Sequence, residues 1–480
     1  MRKPHRKEIS AAAACSLAIA GLAGLSGCGG NGGAQHRRNP AGISIDFSEA
    51  ASPVPAELLP RLNAIGVRSI FAPAVEFSAD GGVPRFEPAA PPDSKYPLPV
   101  YLVVRGTGDL DEYLKSAAGR AGEEIWRALR PALTSGRYGD IAGVHLDLRV
   151  ANSAGEYASA LGSIRSRIPK AMTLSAAVET KLSEDQLKKW RSVGRQVDFL
   201  VPVVYGRGGR AGAEGARVSG STAQAFEVGR AVFPEYCPQG WGLFRASGGE
   251  ARAVSDASIN DLSEDRRFDF EFGSLLSDAD ENVYVFRARQ PGSRAPWGEG
   301  GFEPGDTVTF WENRPSDFTQ GLSDPLAARG KILRLRSLDD QDHLIGFSAI
   351  EDILLGRKLE PKLAFSRSAG DGEVTFLVVN SSPEYSELSR LNNWVDLRMD
   401  GGRLLDIRPG DFDRFEFLDA AGKQSVAGRA RTIRFYENFV APGESMTGGP
   451  IRYSGEAAFF ASAHLTLPDG RVVTVGELPV

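Results

Sequence analysis

Three polar side chains alternate with apolar ones in the segment Gly143 to Arg149 (GVHLDLR). In a β-strand, successive side chains point to opposite faces, so His145, Asp147 and Arg149 share one face. A carboxylate on such a face can exchange a proton or stabilise a developing positive charge, and a neighbouring arginine or histidine can bind a polar substrate. The segment therefore marks a candidate active site.

A second carboxylate is needed if the reaction at this site is the hydrolysis of a glycosidic bond. That reaction uses two carboxylates that lie about 5 to 9.5 Å apart. Glu179 ends the next predicted strand, and neighbouring strands lie about 4.8 Å apart. Asp147 and Glu179 are therefore the candidate catalytic residues, with Asp46 as a third carboxylate.

The same residues also allow interpretations without chemistry. An ion pair of Asp147 with Arg149 or Arg105 would be structural, because ion-pair networks imitate active sites. For Glu179, a solvated carboxylate at a strand end is an equal alternative. His145 fits a hydrogen-bonded core histidine better than a metal ligand, since no second histidine lies at ligand spacing.

Further polar and aromatic residues lie at or near the ends of other predicted strands, and together they suit a polyhydroxylated ligand. Carboxylates and arginines hydrogen-bond hydroxyl groups, and a tryptophan face packs against a sugar ring. We expect a carbohydrate as the ligand, and neither a metal nor a cofactor. The candidate substrate-binding residues are Asp46, Arg105, His145, Arg149, Tyr205, Trp241, Arg334 and Arg336.

These side chains can meet only if parallel strands bring their ends together. From Ile43 to about Leu359, short apolar strands alternate with amphipathic helical stretches, as in parallel βα units. Eight such units predict an α/β fold, the TIM (β/α)8 barrel, whose ligands bind at the carboxyl ends of the strands. A doubly wound open sheet is the alternative. The predicted strands are Ile43–Phe47, Val67–Val75, Val100–Arg105, Ile141–Leu148, Met172–Glu179, Val197–Tyr205, Gly240–Phe244 and Ile332–Arg336.

The pattern changes twice in the second half of the chain. Strand-like segments separated by turn residues predict a β-rich insertion at about 246–318. From Pro361 onward the helical periodicity disappears, and short alternating strands predict an all-β sandwich of the immunoglobulin-like kind. We therefore expect a barrel domain at 42–360, including the insertion, and a sandwich domain at 361–480.

Two segments resemble glycoside hydrolase family 18, the chitinase-type barrels. Gly143 to Arg149 is similar to that family's strand-four motif, Asp-x-x-Asp-x-Asp-x-Glu, with Asp147 at the last Asp. Val197 to Gly206 (VDFLVPVVYG) is similar to its strand six, which ends in Met-x-Tyr-Asp, with Tyr205 at the Tyr. The resemblance covers strands four to six and implies a barrel that acts on carbohydrate.

The departures from the family motif concern the chemistry itself. Arg149 stands at the position of the catalytic acid, and arginine does not donate a proton near neutral pH because its pKa lies above about 12. His145 stands where the family has another Asp, and Gly206 replaces the Asp after Tyr205. Hydrolysis by the family mechanism is therefore not expected.

The first residues have the composition of an export signal. Four basic residues within the first seven precede an apolar run from Ile9 to Leu25. This run is short and rich in Ala and Gly compared with the roughly 20 residues of a membrane-spanning helix. Residues 1–27 are predicted as a signal peptide.

The signal ends in Leu-Ser-Gly-Cys, which resembles the lipobox of bacterial lipoproteins. The resemblance implies cleavage before Cys28 and lipid on its thiol, and Gly29 implies sorting to the outer membrane in Gram-negative members. A plain secretory peptide is the alternative. Residues 28–41 are predicted as a lipidated flexible tether because they hold no large apolar side chain.

Charge and cysteine content narrow the possible partners. Without residues 1–27 the chain has 52 Lys and Arg against 60 Asp and Glu, and this acidic balance argues against nucleic acid as a partner. Cys15 would leave with the signal and Cys28 would carry lipid, so Cys237 would remain alone and no intrachain disulfide could form.

The sequence thus predicts a membrane-anchored lipoprotein of the bacterial cell envelope, in the outer membrane, whose glycoside-hydrolase-like barrel binds and could hydrolyse a carbohydrate. The alternative is a non-catalytic glycan-binding or envelope scaffold with a degenerate active site. The chain as a whole resembles bacterial lipoproteins with glycosidase-like barrels.

Overall fold

The structure is a computed structural model. It describes the residues 42–48, 54, 58–80, 83–117, 119–148, 150, 152–179, 183–203, 231–239, 241–247, 251–254, 259–271, 283–296, 300–311, 318–319, 322, 329–335, 345–357, 359, 363–370, 372–381, 386–441, 443–467 and 470–479. Among these residues, no helix is both long enough and apolar enough to cross a membrane.

Strands and helices alternate through the first part of the described chain, as the sequence predicts. In chain order the elements are β1 (Gly42–Asp46), α1 (Leu59–Ala64), β2 (Val67–Asp80), β3 (Val83–Pro88), β4 (Tyr96–Gly108), α2 (Leu110–Ser116), α3 (Ala121–Thr134), β5 (Gly139–Asp147), α4 (Ala154–Arg165), β6 (Thr173–Glu179), α5 (Glu184–Gln196) and β7 (Phe199–Val203).

The chain then adds a β-rich region before it returns to the first sheet. The elements are β8 (Ala231–Val232), β9 (Glu235–Tyr236), β10 (Trp241–Arg245), β11 (Ala251–Val254), α6 (Ile259–Glu264), β12 (Phe268–Phe270), β13 (Val283–Ala288), β14 (Thr307–Trp311), β15 (Gly330–Arg334) and α7 (Phe347–Leu354).

Parallel pairing closes the first sheet into a ring. The strand order is β1-β15-β9-β7-β6-β5-β4-β2, and β2 pairs again with β1 in parallel. The strand β8 pairs with β7, so β8 and β9 together supply the seventh position of the barrel. The predicted TIM barrel is thereby confirmed.

Two local predictions differ from the structure. Gly240 to Phe244 was predicted as the seventh barrel strand, but this position belongs to β8 and β9, and β10 lies in an antiparallel sheet. Pro234 separates β8 from β9, and because proline has no N–H it interrupts the ladder of hydrogen bonds. The strand β3 was not predicted either, and it forms an antiparallel hairpin with β2.

The antiparallel sheet is an insertion between the seventh and eighth barrel strands. It has five strands in the order β11-β10-β14-β13-β12. Phe286 and Val308 on its central strands are buried and belong to the same apolar cluster as the outer layer of the barrel. The insertion therefore packs as part of the barrel domain.

A C-terminal β-sandwich follows, as predicted. Its strands are β16 (Leu363–Gly370), β17 (Glu373–Asn380), β18 (Trp394–Ile407), β19 (Arg414–Leu418), β20 (Thr432–Tyr436), β21 (Ser445–Thr466) and β22 (Val472–Pro479). The 22-residue β21 pairs with β17 through its first part, with β18 over residues 451–464 and with β22 through its last part. An apolar cluster distinct from that of the barrel forms its core.

The alternation of side chains divides the barrel into two apolar layers. Val144 and Leu146 of β5 face outward and pack with the helices. Phe71, Tyr101 and Phe199 point inward and fill the ring, and the rings of Phe71 and Tyr101 are stacked 4.6 Å apart. The interior is thus a packed core, and polar side chains follow it toward the carboxyl ends of the strands.

Candidate functional site

Three of the predicted site residues meet at the carboxyl ends of the barrel strands. Asp46, Asp147 and Arg334 are the last residues of β1, β5 and β15. The Nη2 atom of Arg334 donates a hydrogen bond of 2.9 Å to Asp147 Oδ2 and lies 3.1 Å from Asp46 Oδ2. The barrel therefore brings together side chains that are up to 288 positions apart in the sequence.

The strand register explains why these side chains converge. Asp46 and Arg334 are paired directly across neighbouring parallel strands, so their side chains point to the same face. Ile45, between the inward residues Ser44 and Asp46, packs in the outer apolar cluster. The inward position at each strand end is therefore the one that carries the charge.

A fourth charged residue, Glu235 of β9, completes the group and was not predicted from the sequence. The Nε atom of Arg334 donates a hydrogen bond of 2.5 Å to Glu235 Oε1. Glu235 follows Pro234 in a strand of only two residues, so the local pattern gave little sign of it. A possible signal was the single acidic residue within the apolar run from Ala231 to Cys237. We call these four residues, Asp46, Asp147, Glu235 and Arg334, the mouth cluster.

The mouth cluster is shielded from solvent. Asp46, Glu235 and Arg334 are 0% exposed and Asp147 is 2% exposed. Burial raises the pKa of Glu235 well above 4.5; the charge of Arg334 opposes this shift, while Asp46 and Asp147 add to it. Arginine stays protonated at any ordinary pH, so Arg334 supplies a permanent positive charge to three carboxyl groups.

The other polar residues of the barrel interior have structural surroundings. His145 is buried, and its Nδ1 lies 2.9 Å from Ser175 Oγ on the neighbouring strand. Its ring meets that of Phe71 edge to face. The interpretation of His145 as a hydrogen-bonded core histidine therefore agrees with its surroundings.

Arg105 lies at the rim and is partly exposed. Its Nη1 donates to the backbone oxygen of Ser48 at 3.4 Å and lies 3.8 Å from Glu76 Oε1. From the sequence, Arg149 and Arg105 were considered as ion-pair partners of Asp147. The structure gives Asp147 an ion pair with Arg334 of β15.

Of the remaining candidates, two are described only in their backbones and four are not described. Glu179 ends β6, where its backbone pairs with Val203. Trp241 does not follow a barrel strand as expected, because it begins β10 and its backbone pairs with Trp311 of the insertion. The candidates outside the described residues are Cys28, Arg149, Tyr205 and Arg336.

A cleft opens at the same end of the barrel. It has a volume of about 370 Å³ and is lined by residues 108–112 and by Lys115, at and after the carboxyl end of β4. Asp109 and Glu112 contribute carboxylates to its wall, and Lys115 contributes an amine. Asp111 holds the cleft to the loop after β5 by accepting hydrogen bonds from the backbone N–H groups of Asn152 and Ser153.

Within the described part of the chain, no group of three or more His, Cys, Asp or Glu side chains is arranged to hold a metal ion. The mouth cluster itself contains a guanidinium at its centre.

Comparisons with known proteins give matches only among solved structures. No protein-family model and no curated protein matches the sequence. The spore cortex-lytic enzyme SleL of Bacillus cereus is 14% identical, with 66% of this chain and 74% of that chain covered at a TM-score of 0.36.

Two members of glycoside hydrolase family 18 give similar values. An N-acetylglucosaminidase from Paenibacillus barengoltzii is 12% identical, covers 62% of this chain and 95% of its own, and has a TM-score of 0.36. A class V chitinase mutant from Cycas revoluta, solved with (GlcNAc)3, is 11% identical, with coverages of 65% and 96% and a TM-score of 0.36. The barrel of the present chain is established by its own strand pairing.

Proposed function

We propose that this protein binds carbohydrate at the carboxyl end of its barrel and is held at a bacterial membrane by lipid on Cys28. The observation that carries the proposal is the meeting of Asp46, Asp147 and Arg334 at the ends of three barrel strands. Barrel proteins bind their ligands at this face. Carboxylate and guanidinium groups are suited to hydrogen-bond the hydroxyl groups of a sugar.

The neighbouring cleft supports the same ligand class. Its volume of about 370 Å³ lies at the lower end of the range of about 300 to 1,000 Å³ that is usual for small-molecule sites. Asp109 and Glu112 add acceptors for hydroxyl groups along its wall.

The membrane anchor is supported by the sequence of the signal and lipobox. Lipidation at Cys28 with two or more acyl chains gives stable anchoring, because each buried methylene contributes about 0.8 kcal/mol. Outer-membrane location follows from Gly29 by the same resemblance to bacterial lipoproteins.

Hydrolysis of the bound carbohydrate is a separate proposal. The sequence nominates Asp147 and Glu179 for it, and the alternative is binding without turnover. The ion pair of Asp147 with Arg334 and the presence of arginine at position 149 favour the binding role over the mechanism of family 18.

The test is a binding screen against a panel of soluble polysaccharides by affinity electrophoresis and calorimetry. We expect the wild type to bind at least one, and Asp147→Asn to weaken that binding about tenfold or more, equal to about 1.4 kcal/mol. The matched control is Asp198→Asn, because Asp198 also pairs with an arginine, Arg165, but at the amino end of β7. A wild type that binds none of the polysaccharides would contradict the proposal.

A further inference from the structure

Two barrel strands continue past the ends of their neighbours and form a raised sheet at the rim. The strand β1 pairs with β2 only as far as Asp46, whereas β2 continues to Asp80. The strand β5 pairs with β4 as far as Asp147, whereas β4 continues to Gly108. In this raised part, β2 pairs with β3 on one side and with β4 on the other. We call residues 75–80, 83–88 and 105–108 the rim sheet.

One face of the rim sheet is apolar and packs against the rest of the barrel domain. Phe77 and Phe86 are directly paired on β2 and β3, and their ring centroids lie 5.2 Å apart. The ring of Phe77 also meets that of Tyr113 on α2 at 5.5 Å. A Cβ at Gly106 of β4 would lie 2.6 Å from Leu148 Cδ2, so this face is tightly packed. The side chains of the opposite face are therefore carried on a rigid support.

The opposite face of the rim sheet is polar and continues the inward face of the barrel. Val103 of β4 points into the barrel, and because side chains alternate along a strand, Arg105 lies on the same face. Arg105 is also paired with Asp147 of β5. Two rows of directly paired residues lie on this face. The first row is Glu87, Glu76 and Arg105, and the second is Arg85, Ser78 and Thr107.

Arg105 and Glu76 of the first row are open to a ligand. The side chain of Arg105 is 25% exposed and that of Glu76 is 56% exposed. Arg105 donates through Nη1 to the backbone oxygen of Ser48 at 3.4 Å, and the same atom lies 3.8 Å from Glu76 Oε1. Within the described part of the chain, the Nε and Nη2 atoms of Arg105 have no acceptor. These two atoms form one side of the planar fork with which arginine binds oxygen atoms.

The second row and the edge strand add further open groups. Ser78 and Thr107 are half-buried, and Arg85 and Glu87 are exposed. Among the described residues, none of these four side chains takes part in a hydrogen bond or an ion pair. Gly108 at the end of β4 also lines the cleft of about 370 Å³, so the rim sheet adjoins that cleft. The rim sheet is thus accessible, whereas the mouth cluster is buried.

The charges of the two rows indicate the kind of ligand. The rows contain two arginines and two glutamates, so neither sign dominates. The hydroxyl groups of Ser78 and Thr107 belong to directly paired residues. A surface that attracts a polyanion or a polycation carries an excess of the opposite charge, which is lacking in these rows. Hydroxyl groups both donate and accept hydrogen bonds, so a neutral sugar matches mixed donors and acceptors.

We propose that the rim sheet is the surface on which the barrel binds its carbohydrate, and that this carbohydrate is a neutral polysaccharide. The inference rests on the proposed function and adds the residues that contact the ligand. Ser78, Thr107 and the Nε and Nη2 atoms of Arg105 bond to sugar hydroxyl groups, and Glu76 accepts hydrogen bonds from them. The ligand does not have to enter the buried mouth cluster.

Two matched double variants test the contact. Ser78→Ala/Thr107→Val removes two hydroxyl groups from the rim sheet with little change in side-chain volume. We expect its affinity for the polysaccharide found in the screen above to fall about tenfold, because two hydrogen bonds to the ligand are lost. The control is Ser368→Ala/Thr375→Val, since Ser368 and Thr375 are also directly paired, on β16 and β17 of the sandwich. We expect the control to bind as the wild type does.

A conservative variant guards against an effect on folding. Thr107→Ser keeps the hydroxyl group, and we expect it to bind nearly as well as the wild type, whereas Thr107→Val binds more weakly. Urea unfolding of both single variants should show the same midpoint as for the wild type. Equal affinities in Thr107→Ser and Thr107→Val would remove the hydroxyl group from the contact and overturn the inference.

The choice of polysaccharide tests the ligand class. The panel contains a neutral glucan, a polyuronate and a polymer of glucosamine with free amino groups. We expect the neutral polymer to bind most tightly, with an affinity that changes less than about twofold between about 50 and 500 mM NaCl, because salt screens the attraction between opposite net charges. Tighter binding of either charged polymer would overturn the assignment of a neutral ligand.

The outcomes distinguish this inference from the proposed function. If the wild type binds a polysaccharide and the two double variants bind it equally well, the inference is wrong and the proposed function stands. If the wild type binds only a charged polymer, the ligand class is wrong and binding of carbohydrate stands. If the wild type binds no polysaccharide, the proposed function itself is refuted, and this inference is refuted with it.

Discussion

Glu437 is a half-buried carboxyl group whose pKa is shifted by burial and by other carboxyl groups. It follows β20 in the sandwich, with Asp413 and Glu444 nearby. One backbone N–H, that of Asn438, donates to Glu437 Oε1 at 3.0 Å. Burial, followed by the effects of Asp413 and Glu444, raises the pKa of Glu437 from 4.5 to about 10.

This shift predicts a pH-dependent cost to stability. The folded protein keeps the proton between pH 4.5 and about 10, whereas the unfolded chain loses it above 4.5. The folded state therefore binds more protons in this range, and the free energy of unfolding falls as the pH rises through it. We expect Glu437→Gln to raise the free energy of unfolding at pH 7 by about 2 kcal/mol, a figure reduced to allow for partial exposure.

Urea unfolding at several pH values would check this effect. The gain should disappear near pH 4, where both states of the wild type hold the proton. Glu456→Gln is the control, because Glu456 is exposed on the same domain and should change stability little at any pH. An equal gain at pH 4 and pH 8 would contradict a proton-linked origin.

The sequence located part of the mouth cluster but not its chemistry. Asp46, Asp147 and Arg334 could be predicted because each ends a strand of recognisable period. The ion pairs of Arg334 with Asp46 and Asp147 could not be predicted, because they depend on which strands lie near each other in the ring. Glu235 was missed because its strand has two residues and follows a proline, which leaves no period to detect.

At the scale of elements, strand positions were predictable wherever apolar runs were long. Seven of the eight predicted barrel strands overlap an observed strand of the barrel. Gly240 to Phe244 also forms a strand, β10, but its partners are antiparallel. Periodicity reports that a segment is extended, whereas the choice of partner depends on contacts distant in sequence.

The packing of α3 against α4 depends on one glycine in the first turn of α3. A Cβ at Gly122 would lie 2.5 Å from the backbone oxygen of Ala160 and 2.7 Å from Ser163 Cβ, both on α4. The two helices can therefore approach this closely only without a side chain at position 122.

Gly122→Ala and Gly155→Ala should change stability in opposite directions. Gly122→Ala forces α3 and α4 apart, and we expect the free energy of unfolding to fall by about 1 to 3 kcal/mol. Gly155 is also the second residue of its helix, but a Cβ there meets no atom within 4 Å. Gly155→Ala should raise the free energy by up to about 1 kcal/mol, because alanine favours the helix. Urea titration of both variants would measure these changes in the free energy of unfolding. Equal changes in the two variants would contradict the packing argument.

At the scale of the whole molecule, the barrel and the sandwich keep separate apolar cores, and only a few sandwich residues join the barrel cluster. Leu388, Phe439 and Ala441 are those residues. The loss of helical periodicity after Pro361 predicted this division, because the two folds bury their side chains with different periods. The packing of the insertion against the barrel domain could not be predicted. Its apolar residues indicate that a surface is buried, but they do not indicate which surface they pack against.

Attachment to the membrane is predicted to depend on one cysteine. With the full chain expressed in a Gram-negative bacterium, we expect the wild type in the outer-membrane fraction and Cys28→Ser among the soluble proteins. An alkyne-tagged fatty acid should label the wild type and not Cys28→Ser. The control is Cys237→Ser, since Cys237 is buried in the barrel and should not carry lipid. Labelling that persists in Cys28→Ser would contradict the assignment.

The position of β1 has a mechanical consequence. This strand pairs with β2 on one side and with β15 on the other, and both neighbours run parallel to it. A pull on the chain ahead of Gly42 therefore acts along the strand and loads two rows of hydrogen bonds in shear. Bonds loaded in this way must break together, whereas those of an outermost strand can be peeled away one after another. Tension transmitted from the N-terminal side would thus be resisted by both neighbours of β1 at once.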